Sequence, residues 1–130
     1  MKYLIALMLL FFVASCSSKL SEEEYYSQAQ ENYANQKFEL AVENFKGIAD
    51  NYENGKHHAE ALFMLGFINA NDLKDLDEAR KYYTAFIEKY PQHELADDAQ
   101  YELDNLGKDI NELPIFQDST TDSTEDSPSI

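Results

Sequence analysis

Few residues in this 130-residue chain have chemistry to offer, and they are poorly assembled for a reaction. Cys16 is the only cysteine, so neither an intramolecular disulfide nor a zinc site built on several cysteines can form. His57 and His58 are neighbours at the start of a predicted helix, where consecutive side chains diverge by about 100° and do not converge on one metal. His93 holds the corresponding place before a later helix, and all three read as surface residues at helix starts. Asp72, Asp75, Asp77 and Glu78 have the acidity of a calcium loop without its glycine or its closing glutamate at the required spacing. They read instead as a solvated turn that supplies first-turn carboxylates, as do Asp97 and Asp98. No nucleophile stands beside a base, and no carboxylate pair or ligand cluster is organised around a pocket, so the expectation is a protein without catalytic residues, metal or cofactor. The 25 acidic against 10 basic residues give a formal charge of −15, which repels phosphate backbones and excludes nucleic acid as a partner.

The elements that would position these residues begin with Met1 to Ser15. Lys2, the apolar run Leu4 to Val13, and the small residues Ala14 and Ser15 follow the three-part pattern of an export signal. As a helix the apolar run covers about half of a ~30 Å hydrocarbon core, too little for a permanent span. A short polar tether leads to a helix beginning near Ser21, where Glu22, Glu23 and Glu24 are favourable first-turn residues. At the other end Leu113-Pro114 breaks any helix, and Gln117 to Ile130 is Ser, Thr and Asp without apolar periodicity. Residues 111–130 are expected to be a disordered, acidic, solvating tail.

Between these ends the chain repeats itself. Phe38, Ala41, Phe45, Ile48 and Tyr52 align with Leu76, Ala79, Tyr83, Phe86 and Tyr90 at one constant offset, and within each set the spacing alternates three and four, which is helical. The same offset pairs the stretch Glu60 to Leu65 with Asp98 to Leu103. Tyr26, Ala29 and Tyr33 mark the first helix of the first unit. Five helices are predicted, near 22–35, 38–52, 57–70, 75–90 and 94–108, and a two-helix unit recurring at this period is a solenoid signature. The 44% hydrophobic content is enough to give such a domain a core.

Two family resemblances are carried by these residues. Val13-Ala14-Ser15-Cys16 resembles the lipobox of bacterial lipoproteins, which implies acylation of Cys16 after cleavage; the non-aspartate Ser17 implies the outer membrane. Several acyl chains, at about 0.8 kcal/mol per buried methylene, would hold the domain on a membrane. The helical region resembles tetratricopeptide repeats. Ala29, Phe38, Ala41, Phe45 and Ile48 fall on the family's positions in unit one; Leu65-Gly66, Ala79, Tyr83, Phe86 and Pro91 do so in unit two. The departures are one extra residue in the turn before Leu76, a longer loop at Asn54-Gly55-Lys56, no tryptophan, and Glu53 where proline is usual. Together the two resemblances imply an all-α, short tetratricopeptide-type solenoid, two units plus a capping helix. It is similar to periplasmic outer-membrane lipoproteins of the assembly type (BamD-like) and to the repeat domain of the Tol-Pal cell-division coordinator. The division implied is 1–15 signal peptide, 16–21 lipidated cysteine and tether, 22–110 repeat domain and 111–130 tail.

In tetratricopeptide folds the first helix of each unit lines a concave face. Carried over, that places Glu23, Tyr26, Gln30, Tyr33, Glu60, Phe63, Phe67, Asp98, Tyr101 and Asn105 on a partner-binding groove, an aromatic row with an acidic rim. The same rings could instead pack helix against helix, which their period also predicts. The resulting expectation is a lipid-anchored periplasmic adaptor, monomeric or weakly oligomeric, that binds an envelope protein or an extended peptide. The competing readings are a self-associating structural lipoprotein and a non-catalytic subunit of a cell-wall hydrolase or cell-division complex.

Overall fold

The computed structural model describes residues 19–109. Cys16, the expected export signal and the expected tail lie outside them. Five α-helices form: α1 (Glu22–Ala34), α2 (Phe38–Asn51), α3 (His58–Ile68), α4 (Leu76–Lys89) and α5 (Ala96–Asn105), with no strand among the described residues. α1 packs on α2, α2 on α3, α3 on α4 and α4 on α5, so each helix lies against its neighbours in the sequence. This is the short two-unit solenoid with a fifth, capping helix that the periodicity predicts.

Each helix starts and stops for a local reason. Ser21 caps α1 in a reciprocal capping box: its side chain accepts from the Glu24 backbone N–H, and the Glu24 carboxylate accepts from the Ser21 N–H at 2.8 Å. Asp75 caps α4 by accepting from the Glu78 N–H at 3.1 Å, the helix-start role expected of the acidic turn. The two turns inside the units close on left-handed residues, Gln36 (φ 58°) and Lys74 (φ 59°).

The extra residue of unit two is absorbed in a π-helical turn, Asn69–Leu73, that continues α3. Seven residue steps lead from the small Ala29 to the left-handed Gln36; eight lead from Gly66 to Lys74. The widened turn takes up the difference, and Asn69 O still accepts from the Asp75 N–H at 2.8 Å. α3 therefore ends as an α-helix at Ile68, two residues short of the expected end.

The core is the repeated apolar set. Phe45, Ile48, Leu65, Ile68, Tyr83 and Phe86 are fully buried, and so are Ala29, Ala41, Ala61, Ala79 and Ala99. Small residues sit where helices cross closely: a Cβ at Gly66 would lie 2.7 Å from the Tyr83 ring. α3 is mostly apolar and has no exposed residue because it is flanked by both α2 and α4. α5 turns Ala99 and Leu103 to the core, joined by Leu106 just after its end.

One expectation is overturned. His57 and His58 are not surface residues; they are 7% and 4% exposed. Their covering groups come from distant parts of the chain. The Tyr26 ring stacks on His57 with centroids 3.8 Å apart, and the Tyr90 phenol lies 2.7 Å from His58 Nδ1. His93 is half-buried, edge-on to the Phe86 ring at 5.4 Å.

Candidate functional site

The first helices of the units, α1, α3 and α5, carry all ten candidate groove residues, but the structure gathers them into separate groups. The tightest joins α1 to α3. Tyr26 donates its phenol hydrogen to Glu60 Oε1 at 2.6 Å, and Gln30 Nε2 donates to the Tyr26 oxygen at 2.8 Å. Burial, and then the Glu60 carboxylate, push the Tyr26 phenol up to about 12, so it stays a donor at any ordinary pH.

Carboxylates of α1 complete this junction. Glu22 Oε1 accepts from the His57 backbone N–H at 2.6 Å, placing negative charge at the start of α3. Glu23 Oε2 lies 3.2 Å from His57 Nε2, an ion-pair distance without the alignment of a directed hydrogen bond, and Glu23 Oε1 is 3.4 Å from Lys56 Nζ. His57, with Lys56 behind it, holds the Glu23 carboxyl below its usual range. At this junction Tyr26 is thus a packed and bonded tie as much as a groove ring, with its edge also against Phe45.

The second junction, α3 to α5, repeats the positions with different outcomes. Phe63 stands where Tyr26 stands one unit earlier, but His93 does not take the place of His57: Leu95 caps α5 as His57 caps α3, and His93 falls on the position of Gly55. Phe63 has no hydroxyl to tie across to α5, and its ring is held edge-on by Tyr83 and Phe86, each at 5.8 Å. His93 leans on Phe86 and Tyr90. A cleft of about 370 Å³ stays open here, floored by Ala59, Phe63, Met64 and Leu95 and rimmed by Lys56, Glu60, His93 and Glu94.

The remaining candidates lie apart from these two groups. Tyr33 packs against Phe38 at the end of α1, and Phe67 is half-buried against the core. Tyr101 is exposed at 43%, with its carbonyl accepting from Asn105 Nδ2 at 2.7 Å. Asp98 is exposed on the first turn of α5; burial, and then the Asp98 charge, raise the Glu102 carboxyl. Among the described residues no group of His, Cys, Asp or Glu is arranged to hold a metal ion, and no helix is long and apolar enough to cross a membrane.

Sequence reasoning missed His57 and His93. For His57 a signal was available: at the repeat offset it falls on the apolar Leu95, which marks a position turned toward the preceding unit. The polar rim of the open cleft was also incompletely named, since Lys56 and Glu94 belong to it beside Glu60.

No solved structure matches the chain. The model of the YfiO family, described as outer membrane lipoprotein, matches residues 18–122, a stretch that contains all five helices, and the chain belongs to that outer membrane lipoprotein family.

Proposed function

We propose that the protein is a lipid-anchored periplasmic adaptor that binds an envelope protein, or an extended segment of one, through the face formed by α1, α3 and α5, and that it serves outer-membrane protein assembly. The observation that carries the reading is the cleft beside Phe63. It combines an apolar floor with a charged rim, the composition of a protein-recognition hot spot, at a position that the preceding unit fills with Tyr26 and His57. A rim with Glu60 and Glu94 favours a segment that carries a basic residue next to an apolar one. The lipobox ending in Cys16 lies just upstream of the first described helix, so acylation would keep this face close to the bilayer and raise the effective concentration of membrane partners.

Membership of an outer membrane lipoprotein family supports the anchor and the compartment. A photo-crosslinking residue placed at Glu94, in the full chain expressed in its own envelope, tests the face. Adducts to a discrete envelope protein are expected there and not from Leu40, which is exposed on α2. Equal adducts from both positions, or none from Glu94, would rule out the cleft as the binding site.

A further inference from the structure

α1 is covered by α2 and α3 by α4, but among the described residues α5 is followed by no second helix. Its far side is correspondingly open. Tyr101 is 43% and Leu76 39% exposed, and between them runs a groove of about 480 Å³ whose walls also include Ala70 and Leu106. Three observations bear on what fills it.

The first is where the chain leaves. Gly107 and Lys108 are themselves part of the groove wall. Gly107 has φ +82°, and a Cβ there would lie 3.0 Å from Leu76 Cδ1, so the backbone bends back across Leu76 as α5 ends.

The second is what comes next. Ile110, Leu113, Ile115 and Phe116 are four large apolar residues within seven positions, and no further apolar residue occurs until Ile130. Seven residues reach at most about 25 Å, against about 15 Å for the whole of α5, so Phe116 can reach any point along the helix. Pro114 bars a helix through this stretch and favours an extended run, which suits a groove. The family match also continues past α5 to residue 122 and so includes this stretch.

The third is charge. Lys74 and Lys108 flank the groove beside the single carboxylate Glu102, and the residues after Phe116 bring Asp118 and Asp122.

We infer that residues 113–116 of this same chain fold back into the groove between Leu76 and Tyr101 and take the place of the missing second helix of the last unit. The solenoid is then closed at this end by its own chain. A partner on the α1–α3–α5 face meets the Phe63 cleft freely and the Tyr101–Asn105 end only by displacing the segment. The inference goes beyond the adaptor reading and stands without it.

Because the chain has no tryptophan, Phe116→Trp makes a single reporter in the full-length protein in detergent micelles. The expected result is emission shifted to the blue of free tryptophan in the same micelles and protected from acrylamide. Both properties should revert when Leu76→Asp or Tyr101→Asp is added. Emission like that of free tryptophan overturns the inference. So does a blue shift that survives both aspartates, which would put the ring in the micelle or elsewhere on the fold, or one that fades on dilution, which would make the occupant a second copy. If an aspartate variant loses helicity, a stop after Asp109 decides: exchange of the α5 amides is expected to speed up about tenfold, and unchanged exchange overturns the docking.

Discussion

The Tyr26 phenol reaches from α1 to the Glu60 carboxylate on α3 across 2.6 Å, joining the two units through residues 34 positions apart in the chain. Its ring lies flat on His57 at the same time, so one side chain supplies both the polar and the stacking contact of the junction. The corresponding side chain of the next unit, Phe63, lacks the hydroxyl, and there a cleft remains.

Tyr26→Phe removes the hydrogen bonds from Gln30 and to Glu60 while leaving the ring in place. A loss of about 1–2 kcal/mol is expected, the cost of a bond to a charged, partly buried acceptor. Urea titration followed by circular dichroism measures it. A double-mutant cycle with Glu60→Gln should return a coupling of about 0.5 kcal/mol or more; additive losses would mean the two residues act independently.

Gly66→Ala and Gly47→Ala separate space from helix propensity. Alanine is intrinsically favoured over glycine in a helix by up to about 1 kcal/mol. At Gly66 the new methyl would sit 2.7 Å from the ring of Tyr83, which is fully buried and has no room to retreat, so a net loss of about 1–3 kcal/mol is expected. At Gly47 it would meet the Tyr25 ring at 2.5 Å, but Tyr25 is only half-buried and can swing outward, so a smaller loss is expected. Equal melting temperatures for the two variants would contradict this ordering.

Acid should loosen the α3–α4 junction through His58. Burial, and then the nearby Lys89 ammonium, push its imidazole below the usual range, opposed by a hydrogen bond with the Ala49 backbone and then by the Glu53 and Glu22 carboxylates. A depressed folded-state pKa means that the fold prefers the neutral ring. The stabilisation is therefore complete above about pH 6.5, the unfolded value, and is lost as pH falls toward the folded one. His58→Gln is expected to flatten the decline in melting temperature between about pH 7.5 and about pH 5.5, roughly one unit either side of that value. A wild-type curve that is flat across this window would show that the ring is not held neutral.

Cys16→Ser tests the anchor. The variant is expected to lose metabolic labelling by palmitate and to move from the membrane fraction to the soluble periplasm, with its helical content unchanged, because Cys16 precedes the folded helices. Retention in the membrane fraction at wild-type level would show that something other than acyl chains holds the protein there.

What was legible in the sequence was periodic. The apolar spacing from Phe38 to Tyr52, repeated from Leu76 to Tyr90, marks two second helices whose inner residues, Phe45, Ile48, Tyr83 and Phe86, are all buried. Boundaries were less legible because they depend on single turns. α5 starts at Ala96, not near Glu94, and ends at Asn105, since the chain reverses at Gly107. The burial of His57 and His58 could not be read locally, because the atoms that cover them belong to Tyr26, Glu22 and Tyr90, more than thirty positions away. Of the candidate groove, the proximity of Tyr26, Gln30 and Glu60 followed from the repeat; that their polar atoms bond to one another depended on side-chain direction, which the repeat does not specify.

The π turn at Asn69–Leu73 bears on how such an array can vary in length. Unit two carries one more residue than unit one between its helices, yet Ala79, Tyr83 and Phe86 meet α3 with the same faces that Ala41, Phe45 and Ile48 offer in the unit before. The surplus is confined to one bulge at a helix end and never reaches the phase of the helix that follows. In this pair of units the interlocking faces are kept although the repeat lengths differ, because the corner absorbs the extra residue.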